Sequence, residues 1–280
     1  MADLCLVGYT FRGYDMARAL ELAARFGYSS VELRDFRDVD LTTPQAAAES
    51  LERAACLARA RGLCLAAVWY PALPVSRDRE RCGEMRVFSD ILAVLADYGV
   101  PILHTRLSLR RADGGGEVVS AGAYESDYGA VQAALDEAAQ VAEQQGVRIA
   151  LEAHMGYIHD TAASLLRIVS TCGSPFVVGA LDFANMLISY PGESLTRVVS
   201  EFGRHAGYTH LKNVKLLPQG FDWNVPLRWG DINYRHVLQV LKDSGYSGPL
   251  AVEYVGTGDP EIVAEDDAVY LKRLLLESGP

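Results

Sequence analysis

The chain has 280 residues, half of them apolar, and a formal net charge of −10. That length admits two small domains or one large barrel, and the apolar half implies a sizeable buried core rather than disorder. The acid excess argues against a nucleic-acid surface, which normally needs a concentrated Lys/Arg patch.

Strand-like and helix-like segments alternate along the whole chain. LCLVGYT (Leu4–Thr10) reads as a first strand, followed by a helix around MARALELAARFG that stops at Gly27. SSVELRD is a second strand, and an Ala-rich helix from about Pro44 to Arg61 closes at Gly62. LCLAAVWY is a third strand, Met85–Tyr98 a helix ending at Gly99, and PILHTRLS a fourth strand. The segment Arg110–Tyr128 contains three glycines at 114–116. It does not open directly into a helix, so it is expected to be a mobile loop over a barrel mouth rather than a phosphate cradle.

A long helix from about Tyr124 to Gln145 ends at Gly146 and leads to a fifth strand, VRIALEAH. Thr161–Cys172 is helical, with Thr161 or Asp160 as the N-cap. FVVGALD is the sixth strand, Ser194–His205 a helix, GYTHLK the seventh strand, Tyr234–Asp243 a helix, PLAVEY the eighth strand and Pro260–Glu277 the last helix. Glycine after a helix is the expected stop. Eight such units without a linker predict one (β/α)8 TIM barrel over residues 1–280. A doubly wound open sheet is the alternative, but no GxGxxG or Walker-type loop follows any strand.

No apolar run approaches the ~20 residues of a membrane-spanning helix. The Met1–Cys5 start lacks the basic-then-apolar pattern of a signal peptide. Cys5, Cys56, Cys64, Cys82 and Cys172 contain no CxxC pair, which fits reduced, mostly buried thiols. A cytoplasmic protein with no membrane or nucleic-acid partner is expected.

Four residues of metal-ligating type end the last four strands: Glu152, Asp182, His210 and Glu253. The C-terminal strand ends of such barrels hold the active site, and neighbouring strands lie ~4.8 Å apart, so the four can converge on one ion. Any one alone reads as a cap or turn residue, and a degenerate, non-catalytic barrel is the bland alternative for the set. Three carboxylates and an imidazole suit one divalent ion, Mn²⁺ first with Mg²⁺, Co²⁺ or Zn²⁺ as alternatives, better than a structural zinc.

Around them, His154 follows Glu152 by two positions and shares its strand face, as a substrate contact or a packed imidazole. Lys212 has the same relation to His210 and either meets a substrate oxyanion or pairs with a ligand carboxylate. Trp69 and Tyr70 form an apolar wall for a substrate or simple packing. His104 and Arg106 share one face of strand four, and Arg106 binds an anionic substrate group or pairs with Glu32. Asp231 reads as a turn residue, and His159, His205 and His236 as surface or capping residues.

With LEAH at 151–154, LDFAN at 181–185, HLKNVK at 210–215 and GDINYRHVLQVLKDSGYSGPLAVEY at 230–254, the chain resembles the xylose-isomerase-like superfamily of sugar isomerases and epimerases. The resemblance implies a single-ion barrel with Glu152, Asp182, His210 and Glu253 as ligands. It also implies Glu152 and Glu253 as the acid/base pair that moves a proton beside a carbonyl, through a metal-stabilised enediolate. Asn185, a further substrate-contact candidate, stands where several epimerases carry a histidine, and there the sequence departs from the family.

The expected reaction is isomerisation or epimerisation of a small carbohydrate-like hydroxy-carbonyl substrate. The alternative is a lyase resembling dehydroshikimate or inosose dehydratases, or a C-glycoside deglycosidase with a partner subunit. A homo-oligomer and an obligate partner chain both stay open. A nuclease of the same fold would need further ligands from the first four strands, where only Glu32 and His104 qualify.

Overall fold

Eight parallel strands close into a barrel in the computed structural model, which describes residues 3–75, 82–111, 114–192 and 194–277. The strands are β1 (Leu4–Val7), β2 (Ser30–Leu33), β3 (Cys64–Pro74), β4 (Ile102–Ser108), β5 (Arg148–Glu152), β6 (Val177–Asp182), β7 (Ala206–Leu211) and β10 (Leu250–Val252). They pair in chain order, and β10 returns to β1 through Leu4↔Leu250 and Leu6↔Val252. Every residue of β1, β2, β6 and β10 is buried, as expected of parallel strands covered on both faces.

The alternation of strand side chains sorts the core into two layers. Leu6, Leu33, Val68, Leu103, Ile149, Leu151, Leu181 and Leu211 face outward to the helices. Cys5, Val7, Ala67, Ile102, Ala150, Val178, Ala180 and Ala251 fill the lumen around Tyr208. Small residues dominate that inner layer, which makes room for one large ring and for the polar groups above it.

Helices α1 (Met16–Phe26), α2 (Pro44–Arg59), α3 (Cys82–Asp97), α4 (Glu125–Gln145), α5 (Ala162–Cys172), α7 (Leu195–Phe202), α8 (Tyr234–Asp243) and α9 (Pro260–Glu277) pack outside. Their starts follow capping chemistry. Asp15 accepts from the Arg18 amide, Thr43 precedes Pro44 and accepts from Ala46, and Thr161 accepts from Ser164. Such caps are each worth ~1 kcal/mol.

Several details differ from the expectation. Strand one gives way at Gly8 to a 3-10 turn, Gly8–Phe11, whose glycine is required because a Cβ would sit 2.4 Å from the Arg34 carbonyl oxygen. β3 runs past Tyr70 to Pro74, with a register shift between Tyr70 and Leu73 that accommodates Pro71. A short helix, α6 (Phe183–Ser189), follows β6 directly, and a hairpin of β8 (Lys215–Leu217) and β9 (Gly220–Asp222) interrupts the route from β7 to α8. In the long loop after β4, Arg110 pairs with Glu117 and the Val118 amide donates to the Leu109 carbonyl at 2.8 Å. That part folds back on itself, and residues 112–113 lie outside the described residues.

The expectation of mostly buried thiols is corrected: Cys5 is buried, but Cys56 and Cys64 are exposed and Cys172 is half-buried. They lie on outer helix faces or, for Cys64, at the first residue of its strand, while the side chain of Cys82 is outside the described residues. Among the described residues, no helix is long and apolar enough to cross a membrane.

Candidate metal centre

Register places the four strand-end residues together. Glu152 pairs with Ala180, two positions before Asp182, so their side chains share the lumen face of neighbouring strands. Asp182 pairs with His210, which in turn pairs with Ala251, two positions before Glu253. One ligand-type atom from each of Glu152, Asp182, His210 and Glu253 lies within 4.8 Å of every other, and all four residues are buried.

Each is held by protein contacts. Asp182 caps α6: its Oδ1 accepts from the Ala184 and Asn185 amides at 3.1 and 2.9 Å. Its Oδ2 meets Lys212 Nζ at 2.8 Å and the Asn185 side-chain amide at 2.9 Å. Lys212 Nζ also donates to Glu253 Oε2 at 3.0 Å, and Arg34 reaches Glu253 Oε1 at 3.5 Å.

His210 is oriented from below. Glu32 Oε2 accepts from the Tyr208 hydroxyl at 2.9 Å and lies 3.0 Å from His104 Nδ1 and 3.1 Å from His210 Nε2. A carboxylate only accepts, so both rings donate to it from those nitrogens. His210 therefore turns Nδ1 toward Glu152 Oε1 at 3.4 Å and Glu253 Oε2 at 3.5 Å, and that buried atom has no hydrogen-bond partner.

Electrostatics follow from this crowding. Burial pushes Asp182 up, Lys212 opposes, Glu152 adds to the rise, and its pKa settles at about 6. Burial would also raise Glu253, but Lys212, His210 and Arg34 hold it well below the usual carboxylate range. Glu152 is likewise held low against burial, chiefly by its contact with His210 and by His104. Burial works against a charged His210, yet Glu32 and Glu253 pull its pKa well above the imidazole norm. A field that favours a proton on Nδ1 favours a dication beside it for the same reason. A buried imidazole nitrogen that makes no hydrogen bond and sits in a cluster with three carboxylates thus fits a divalent ion.

The remaining candidates surround this set. His154 donates from Nδ1 to the Met155 carbonyl at 2.9 Å and meets Arg106 Nη1 at Nε2, 3.4 Å away. Trp69 is 8 % exposed, edge-on to His104 at 5.0 Å, with guanidinium groups of Arg34 and Arg106 4.3 and 4.8 Å from its ring centre. Beside it a cavity of about 740 Å³ is lined by Arg34, Trp69, Tyr70 and Glu84 among others. The Asn185 side chain is buried and donates to Asp182 and to the Ala153 carbonyl.

Arg34, not Arg106, neighbours Glu32, at 3.8 Å. Sequence reasoning passed over Arg34 and Tyr208, although each stands two positions from a singled-out residue: Arg34 follows Glu32 just past the end of β2, and Tyr208 shares a face of β7 with His210. His159 is buried rather than on the surface: Nε2 accepts from the Leu107 amide at 3.0 Å, and burial pushes its pKa down to about 4. His236 is exposed, and Asp231 accepts from the Leu216 amide, as a turn residue would.

The family model described as xylose isomerase-like TIM barrel matches residues 20–274. The chain belongs to that family. Among curated proteins, none matches it by sequence. Solved structures that resemble this xylose isomerase-like barrel include a D-allulose 3-epimerase from Methylomonas sp. in complex with D-allulose. That structure has 18% identity and a TM-score of 0.77, with 97% of this chain and 96% of the other covered. A probable 3-DHS dehydratase, AsbF, from Bacillus anthracis has 17% identity and a TM-score of 0.73, covering 97% and 99%. The IOLI protein with a bound zinc atom has 20% identity and a TM-score of 0.75, covering 99% and 97%. At such identities the likeness is one of fold.

Proposed function

We propose that this chain is a divalent-metal-dependent isomerase or epimerase of a small, sugar-like hydroxy-carbonyl compound. The observation that carries the reading is the buried Nδ1 of His210, which makes no hydrogen bond and lies 3.4 and 3.5 Å from Glu152 and Glu253, with Asp182 completing the ring. Glu152, Asp182, His210 and Glu253 would hold the ion, and the oxygen-rich set favours Mn²⁺. When bound, such an ion polarises a carbonyl and its neighbouring hydroxyl.

The chain's own groups divide the remaining work. Glu152 and Glu253 come from β5 and the end of β10, with β6 and β7 between them, so they approach a bound molecule from different sides. Both are held as carboxylates at neutral pH. One can take the proton beside the carbonyl and the other can return it, and the side of return decides between retention and inversion. Lys212, bridging Asp182 and Glu253, keeps the acid cluster compact and supplies positive charge next to the proton-transfer group. Similarity to the D-allulose 3-epimerase supports this chemistry.

A lyase is the second reading, favoured by Asn185. Its amide is engaged by Asp182 and the Ala153 carbonyl, which leaves strand six without the histidine of several epimerases. The similar fold of a probable 3-DHS dehydratase supports the same alternative.

The deciding experiment is proton exchange in D₂O with Mn²⁺-loaded protein, read by NMR over keto sugars, keto-inositols, 3-keto glycosides and hydroxy-keto acids. Deuterium at the α-carbon of an isomeric product is expected. Loss of water or an aglycone would replace the isomerase reading with the lyase one, and no exchange with any compound would overturn both.

A further inference from the structure

Arg106 is the odd cation of the site. Among the described residues it has no carboxylate within ion-pair distance. Its polar contact is one nitrogen of His154, and its buried Nε has no hydrogen-bond partner. The guanidinium carbon lies 4.8 Å from the ring centre of Trp69 and 4.9 Å from that of Tyr157. Aromatic rings packed against a guanidinium restrict its motion, and its planar fork of donors matches a carboxylate.

Arg34 shares Trp69 but is already committed to Asp35 at 2.8 Å, Glu253 at 3.5 Å and Glu32 at 3.8 Å. With a divalent ion in place, the buried carboxylates Glu32, Glu152, Asp182 and Glu253 are balanced by the ion, Lys212 and Arg34. Arg106 is then the charge left over, one strand away from Glu152: Thr105 pairs with Leu151 in the β4–β5 register. A partly buried cation without a counter-ion is costly, and a ligand that supplies the missing negative charge is selected over a neutral one.

From this we infer that the substrate carries a carboxylate, which Arg106 binds beside Trp69 and Tyr157 while the hydroxy-carbonyl end meets the metal centre. The inference rests on the isomerase reading of the same site and adds the substrate class: hydroxy-keto acids rather than neutral ketoses. One leftover charge matches a monoanion. A phosphate group would call for more donors, commonly the free amides at a helix start.

The test is titration calorimetry of the Mn²⁺-loaded protein with three non-reacting probes, gluconate, glucitol and glucitol 6-phosphate. The comparison is made on wild type, Arg106→Met and Arg106→Lys, each checked for fold by circular dichroism. Wild type should bind gluconate at least about tenfold more tightly than glucitol, the value of one charged hydrogen-bonded contact. Arg106→Met should erase that preference, and Arg106→Lys, which keeps the charge without the planar fork, should restore part of it.

Equal binding of gluconate and glucitol, binding of neither, or a preference untouched by Arg106→Met would overturn the inference, as would glucitol 6-phosphate binding more tightly than gluconate. Exchange in D₂O with neutral ketoses but not keto acids would overturn it and leave the isomerase reading standing. An Arg106-dependent preference for gluconate without exchange in any carbonyl compound would do the reverse.

Discussion

Glu32 Oε2 lies 3.1 Å from His210 Nε2, and through that contact a residue of β2 aims an imidazole of β7 across the barrel. The other ring nitrogen is thereby left facing Glu152 and Glu253. Carboxylates behind metal-ligating histidines typically matter about 10–100-fold in metal affinity. Glu32→Gln should lower Mn²⁺ affinity by that order while leaving one ion per chain. His210→Ala should lower the stoichiometry itself. Metal titration followed by equilibrium dialysis and elemental analysis separates the two outcomes, and unchanged binding in both variants would remove His210 from the ligand set.

The proposed acid/base roles of Glu152 and Glu253 make a sharper prediction. Glu152→Gln and Glu253→Gln each keep side-chain volume and remove the carboxylate, so each should reduce α-proton exchange at least about 10³-fold, near the middle of what a positioned acid or base contributes. The fold should persist, because the barrel core is made elsewhere, by Leu6, Leu151, Leu211 and their helix-facing neighbours. Exchange at wild-type rates in both variants would sink the assignment, and circular dichroism supplies the control.

How much of this was legible in the sequence depends on the range of the signal. Glu152, Asp182, His210 and Glu253 stand out because each ends an apolar run, and parallel strands covered on both faces make such runs long and clean. The barrel follows from the repetition of those runs. Arg34 and Tyr208 did not stand out: one follows the short strand SVEL, the other sits in an apolar run where a tyrosine reads as core. Their roles depend on β2, β4 and β7 facing one another across a lumen, and no local pattern reports that distance.

α6 escaped because it starts on the residue after β6 with no break between them, and its cap, Asp182, is also a candidate metal ligand. β3 looked finished at Tyr70 because prolines at 71 and 74 usually end strands, whereas here a register shift absorbs the first. His159 looked like a surface residue beside the Asp160–Thr161 capping sequence. Its ring instead turns inward to the Leu107 amide.

Lys212 offers a test on stability rather than rate. Its ammonium lies 2.8 Å from Asp182 and 3.0 Å from Glu253, with 7 % of the side chain exposed, and its pKa is pulled up by those partners against the cost of burial. Removing one member of a buried ionic group leaves the others uncompensated, at a cost of about 3–5 kcal/mol. Lys212→Met should therefore lower the melting temperature in the presence of a chelator and recover much of the loss on addition of Mn²⁺. A melting temperature equal to wild type without metal would show that the ammonium is dispensable to the cluster.

Asp267 of α9 makes one pH-dependent contribution to stability. It is 2 % exposed and accepts from the Leu227 amide at 2.7 Å. Burial raises its pKa from 3.8 to about 7, with the Leu227 bond opposing and Asp266 adding to the rise. The folded value lies above the unfolded one, so between the two the folded chain binds a proton that the unfolded chain has released. This contribution to stability is fully present below pH 3.8 and is lost as pH rises through about 7. Asp267→Asn keeps an oxygen for the Leu227 amide and cannot ionise. Denaturant unfolding should find the variant close to wild type near pH 4 and more stable by roughly 2–4 kcal/mol at pH 8, the size expected of such a shift. A difference between the two proteins that stays constant across this range would mean that Asp267 remains ionised in the folded barrel, balanced by the neighbouring Arg228.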